Sequence, residues 1–265
     1  MIKEVNIQQN NQHGFPLDIP SIQSIDSMVF KTPITILVGD NGSGKSTFLL
    51  SLAKKHDAIN TSMYPLNHPY YDRYQPLVDK MTLTYDIKHK KGFMFSGEAF
   101  ITYIHHLQDQ KKDLEAYVQE VEKAYEHKSD FARNQALAPA KKELYAMKNN
   151  YAGDLQEKSH GEGFLSFFKA RMHQKGIYFL DEPETPLSSM HQYQLFVLLH
   201  DLAASGSQII IATHSPILMA LNHATIYEFT DTIHEVNYED VESVRFMKYF
   251  LNHTKLFKEK VNSGT

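Results

Sequence analysis

Ile34-Thr35-Ile36-Leu37-Val38-Gly39-Asp40-Asn41-Gly42-Ser43-Gly44-Lys45-Ser46-Thr47 joins an unbroken apolar run to a glycine-rich turn. Pro33 and Gly39 bound the apolar part, and its continuity predicts a strand over 34–38 that is buried on both faces, as parallel strands are. A helical pattern follows over 46–55. Strand, glycine turn and helix in that order satisfy Gly-x-x-x-x-Gly-Lys-[Ser/Thr] in the context the pattern requires. The glycines allow successive backbone N–H groups to converge on phosphate oxygens, and the helix that follows presents its positive end to the same charge. Gly39, Asn41, Gly42, Ser43, Gly44, Lys45, Ser46 and Thr47 are therefore the candidate nucleotide-binding residues. Within the motif Lys45 reaches the β- and γ-phosphates of ATP and the Ser46 hydroxyl ligates Mg²⁺.

Two further apolar runs end in chemistry-bearing residues. Ile177-Tyr178-Phe179-Leu180 predicts a second buried strand, which delivers the adjacent carboxylates of Asp181 and Glu182. Successive side chains of a strand point to opposite faces, so the two can divide their work. Asp181 is the candidate Mg²⁺ residue, and Glu182 the candidate that orients and deprotonates the attacking water. Ile209-Ile210-Ile211-Ala212 predicts a third buried strand, followed by Thr213-His214-Ser215-Pro216. His214 then stands where a parallel strand ends beside the phosphates, with its imidazole in reach of the γ-phosphate or the water.

The rest of the chain frames these pieces. Its 265 residues are 42% hydrophobic with a formal charge of -4, enough for a full core and without a global electrostatic footprint for nucleic acid. Cysteine is absent, which excludes disulfides, thiol catalysis and Cys-ligated zinc and suits a cytoplasmic setting. The opening residues predict no secretory leader, and no apolar run approaches the ~18 residues of a membrane span. Strands are expected at 1–7, 92–95 and 224–229, and helices at 189–204 and 241–253. Residues 56–91, rich in Pro, Tyr, Asn and Asp, are expected to form an irregular excursion. Between 97 and 158 long charged and amide side chains carry apolar residues at helical spacing. Phe100, Tyr103, Leu107, Leu114, Tyr117, Val121 and Tyr125 predict one helix; Ala140, Leu144, Met147 and Tyr151 predict another, with Pro139 at its start. The division is thus an ATPase core over 1–96 and 159–265 with a helical lobe over 97–158 inserted in it. The fifteen histidines lack zinc-enzyme spacing. Tyr64, Tyr70, Tyr71 and Tyr74 are expected to pack an irregular loop rather than stack on bases, and Phe15 to lie in the core.

The phosphate turn, Leu180-Asp181-Glu182-Pro183-Glu184-Thr185-Pro186-Leu187-Ser188 and Thr213-His214-Ser215-Pro216 together resemble the stand-alone ABC-type ATPases of the SMC and RecF branch. Ser159-His160-Gly161-Glu162-Gly163, ahead of a helix expected at 164–174, resembles a divergent form of that family's signature motif. The resemblance implies an α/β P-loop NTPase fold, an ABC ATPase head with a mostly parallel central sheet, and hydrolysis of Mg-ATP. It implies that Ser159 and Gly161 act on the γ-phosphate held by a second copy, so that ATP binding makes a homodimer and hydrolysis releases it. It implies a switch for a partner effector or a nucleic-acid transaction, with DNA repair and antiphage defence both compatible. The nucleotide-binding subunit of a membrane transporter is the alternative, although Ser188 stands where many transporters carry Asp. The family's glutamine sensor has no counterpart after residues 92–95, where Ser96 and Glu98 occupy the neighbourhood.

Overall fold

The computed structural model describes residues 1–9, 13–86, 91–150, 160–172 and 175–262. Strand β1 (Ile2–Ile7) opens the chain. A single-turn helix α1 (Pro20–Gln23) and strand β2 (Ser27–Val29) lead to β3 (Ile34–Gly39), in which all but the last residue are buried. Helix α2 (Lys45–His56) follows the glycine turn, and its final turn carries Lys54 and Lys55, cations where the helix dipole favours them, and His56.

The expected irregular excursion contains more order than its composition suggested. A short strand β4 (Ile59–Asn60), a 3₁₀ turn over Pro69–Tyr74, helix α3 (Gln75–Lys80) and strand β5 (Met81–Tyr85) fill it. Lys54 on α2 holds the 3₁₀ turn through the Tyr71 carbonyl at 3.2 Å and the Asp72 carboxylate at 3.6 Å. Tyr71 and Tyr74 are buried there, as expected of loop packing, whereas Tyr70 is exposed. Phe15 corrects its expectation. It is 50% exposed, edge-on to Tyr74, with the Arg73 guanidinium over its ring.

After β6 (Gly92–Ser96) comes α4 (Gly97–Ala124), capped by the Ser96 hydroxyl, and then α5 (Asp130–Asn150). The two helices form a hairpin packed through Val121, Leu137 and Ala140, with Lys141 and Glu122 3.6 Å apart across it. Pro139 lies inside α5 and not at its start. It faces solvent, where the carbonyl one turn back that loses its N–H donor remains open to water. Helix α6 (His160–Arg171), β7 (Ile177–Asp181), α7 (Ser189–Ala204), β8 (Gln208–Ala212), α8 (Pro216–Met219), β9 (Ala224–Phe229), β10 (Ile233–Val236), α9 (Glu242–Asn252) and α10 (Thr254–Asn262) complete the chain.

Seven strands form the central sheet in the order β10-β9-β3-β8-β7-β6-β4, parallel except for β10 against β9. A smaller antiparallel sheet, β2-β1-β5, lies on the far side of α2. The period of two along each strand decides which layer a residue joins. Leu37, Ile177, Phe179, Ile210 and Ala212 face α2, whose Phe48, Leu49, Leu52 and Ala53 fill the space between the sheets. Ile36, Val38, Tyr178, Leu180, Ile209 and Ile211 face the other way, onto Phe164 and Phe168 of α6, Leu195 and Leu199 of α7, and Val244 of α9. The Gln208 side chain ties the two sheets together, donating to the Ile2 carbonyl at 2.9 Å and accepting the Ile2 N–H at 2.7 Å. This architecture is an α/β fold with a mostly parallel central sheet, and it brings β3, β7 and β8 side by side at its centre.

Candidate functional site

The turn between β3 and α2 is shaped by glycines that no other residue could replace cheaply. Gly39 has φ +136°, and a Cβ there would collide with the Phe229 carbonyl oxygen of β9. Gly44 has φ +100° directly ahead of α2, with the Ser21 hydroxyl and the Ile19 side chain where a Cβ would go. The Ser21 hydroxyl donates to the Ser43 carbonyl, so α1 braces the turn from outside. Lys45 curls back and donates to the carbonyls of Gly39 at 2.8 Å and Asp40 at 2.7 Å. Burial pulls its ammonium below the ordinary value, against the attraction of Glu182, Asp181, Asp40 and Glu184. The Ser43 hydroxyl oxygen is buried without a hydrogen-bond partner among the described residues. Asn41 and Gly42 are exposed, while Thr47 is half-buried in the first turn of α2. A cavity of about 440 Å³ opens over the turn, walled by Asn41, Ser43, His214, Glu228 and the start of α9.

The face-alternation of β7 puts Asp181 on the α2 side, where the Ser46 hydroxyl donates to its Oδ1 at 2.7 Å. Burial raises the Asp181 carboxyl to about 6; Glu182 and Glu184 push the same way, and the Ser46 hydroxyl and Lys45 oppose them. Residues 135 positions apart in sequence thus share one hydrogen bond. The pair fits a hard dication: two oxygen donors, one of them a buried carboxylate whose charge Lys45 and the Ser46 hydroxyl offset only in part. Among the described residues no group of three His, Cys, Asp or Glu side chains could hold a metal by itself. An ion bound here would rely on phosphate oxygens and water for its remaining ligands, as Mg²⁺ does beside nucleotides.

Glu182 turns away from the strand. Its φ of 44° is left-handed, an uncommon conformation for a residue with a side chain, and its N–H is fixed by the Ala212 carbonyl at 2.8 Å. Its Oε1 lies 3.6 Å from His214 Nε2, with the side chains 42% and 39% exposed. The two groups proposed to handle water and γ-phosphate are therefore adjacent and partly exposed, and His214 also lines the cavity. The His214 loop is held from behind, because Ser215 caps α8 and its hydroxyl donates to Gln192 of α7 at 2.7 Å.

Ser159 lies outside the described residues. Gly161 falls in the first turn of α6, which begins four residues ahead of the helix expected at 164. Ser96, in the expected sensor neighbourhood, pairs in register with Asp181 and caps α4. Gly97 is pressed against the turn after β7, since a Cβ there would collide with the Glu182 carbonyl oxygen and stand 3.2 Å from Thr185 Cβ. Sequence reasoning passed over Glu184. Its Oε1 accepts the His214 N–H at 2.6 Å. The local signal is a third carboxylate two residues beyond Glu182, but its partner lies thirty positions away in sequence.

The phosphate import ATP-binding protein PstB of Borreliella burgdorferi is 25% identical over 222 residues, covering 80% of this chain and 78% of its own. The ABC transporter G family member STR2 of Medicago truncatula is 23% identical, covering 79% of this chain and 28% of its own. Among solved structures, the SMC head domain from Thermotoga maritima is 15% identical with a TM-score of 0.44, covering 89% of this chain and 98% of that one. A nucleotide-free ATP-binding cassette from an ABC transporter is 13% identical with a TM-score of 0.42, covering 96% and 97%. The model of the AAA ATPase domain matches residues 53–219, a segment that carries Asp181, Glu182 and His214 and begins inside the helix that the phosphate turn starts. That match takes in more than half of the sequence, so the chain belongs to the AAA ATPase domain family and is an ATP hydrolase.

Proposed function

We propose that this protein is an ABC-type ATPase that works as a switch, pairing head-to-tail with a second copy around two Mg-ATP molecules and separating on hydrolysis. The observation that carries this reading is the convergence of the Ser46–Asp181 hydrogen bond, at 2.7 Å, and the Glu182–His214 contact, at 3.6 Å, at the ends of two adjacent strands. In this reading Gly39, Asn41, Gly42, Ser43, Gly44 and Thr47 wrap the phosphates and Lys45 leaves its carbonyl partners for the β- and γ-oxygens. Ser46 and Asp181 would hold Mg²⁺, which supplies the positive charge that bridges and neutralises phosphate oxygens. Glu182 orients the water and takes its proton, and His214 holds the γ-phosphate. The exposure of both side chains in the single chain supports completion by a second copy, whose Ser159 and Gly161 would close over the γ-phosphate. The partner acted upon is an effector protein or a nucleic acid.

Glu182→Gln tests this. ATP turnover is expected to fall at least ~100-fold, while light scattering shows a dimer that forms with ATP and not with ADP. A variant that stays monomeric with ATP and keeps its turnover would refute the switch. The similarity to PstB favours a second reading, a nucleotide-binding subunit of a membrane transporter. No helix among the described residues is long and apolar enough to cross a membrane, so in this reading the transport path lies outside them. Recovery of the tagged protein with an integral membrane partner would select this second reading.

A further inference from the structure

Glu184 has no part in the chemistry just described, yet it is costly to keep where it is. Its carboxylate is turned inward from a turn, Oε1 on the His214 N–H at 2.6 Å and Oε2 buried with no hydrogen-bond partner among the described residues. Burial raises its pKa, with the Thr213 hydroxyl and the His214 N–H acting in the opposite direction. A carboxylate that gives up solvent for the Thr213 hydroxyl and local backbone N–H groups needs a structural return. The return lies in what the bond joins. The turn is closed on itself by Thr185 N–H to the Glu182 carbonyl at 3.1 Å and Leu187 N–H to the Glu184 carbonyl at 2.8 Å, so Glu184 and Glu182 move as one piece. His214 belongs to the separate loop after β8, held on either side at Thr213 and Ser215, and any shift of its own peptide would pass straight into the 3.6 Å gap to Glu182.

We infer that Glu184 is a positioning residue: by gripping the His214 backbone it fixes the imidazole relative to the Glu182 carboxylate, and so governs the chemical step rather than nucleotide binding. This rests on the roles proposed above for Glu182 and His214. Reach and charge separate cleanly in two conservative variants. Glu184→Gln keeps an acceptor oxygen at the same distance without the charge; Glu184→Asp keeps the charge but is one methylene too short to meet the N–H.

Steady-state ATP hydrolysis, affinity for a fluorescent ATP analogue and thermal unfolding would be measured for both variants, for His214→Ala and for Glu184→Asp combined with His214→Ala. Glu184→Asp is expected to lower kcat by ~10- to 100-fold, the scale of a 1 Å misplacement, with KM and analogue affinity within about threefold of wild type. Glu184→Gln is expected to retain most of kcat. The double variant should be no slower than His214→Ala alone, since the tether has nothing left to position. The inference is overturned if Glu184→Asp turns over like the wild type while His214→Ala is impaired, if Glu184→Gln is the slower of the two, or if the losses multiply in the double variant. Full turnover in His214→Ala would instead overturn the inference through its premise, by removing His214 from the chemistry.

Discussion

Replacing Asp181 with Asn isolates a cost that the nucleotide-free protein carries. Burial above all, with Glu182 and Glu184 adding to it, holds the Asp181 carboxyl at about 6 against an ordinary 3.8. A group whose folded pKa lies above its unfolded value contributes stability that is complete below the lower value and is lost as pH rises through the higher one. The difference of about 2.2 units is worth roughly 3 kcal/mol, of which about 2 kcal/mol disappears between pH 4.5 and pH 7.5. Asn carries no charge and can still accept the Ser46 hydroxyl, though a neutral acceptor forfeits about 1 kcal/mol. Asp181→Asn should therefore be more stable than wild type by about 1 to 2 kcal/mol at pH 7.5, and should lose that advantage near pH 4.5. Urea unfolding of both proteins in EDTA at the two pH values reads this directly, because the difference between them cancels the titrating groups that lie away from Asp181. Adding Mg-ATP should reverse the order, stabilising only the wild type, while hydrolysis by the variant is abolished. A variant less stable than wild type at pH 7.5, or a difference indifferent to pH, would show that Asp181 does not wait as an undercompensated buried charge.

Lys45→Ala should weaken binding of a fluorescent ATP analogue at least ~100-fold, the worth of about two strong phosphate contacts, with no loss of melting temperature, since a buried ammonium is removed. Unchanged affinity would detach Lys45 from the phosphates. Gly97→Ala should push the Glu182 carbonyl aside, lowering turnover ~10-fold or more and stability by about 1 to 3 kcal/mol, as overpacking does. Wild-type kinetics with a wild-type melting temperature would show that this contact has slack.

The central strands and the residues at their ends were legible because parallel strands buried on both faces are written as continuous apolar runs, each ending in its own chemistry. The same simplicity exposed the turn from Gly39 to Thr47. Strand β5 was not legible, since Met81–Tyr85 is amphipathic and short, and its partner β1 lies some seventy-five residues earlier in the chain. Pro139 was misplaced because local propensity puts proline at a helix start, while packing through Leu137 and Ala140 carries α5 past it. Glu184 was passed over for a different reason. Its task is defined by His214, and only the adjacency of β7 and β8 brings the two loops together.

Gly97 sits at the root of a helix of 28 residues, a rod of about 42 Å at 1.5 Å per residue. With no side chain at its root, the rod stands directly on the backbone of Glu182, the residue proposed to activate water. Tilting it by ~5° sweeps its tip through roughly 4 Å, while the pivot must slide or press against one carbonyl. Whatever grips the distant end of the hairpin therefore holds the long arm of a lever whose short arm is the turn that carries Glu182.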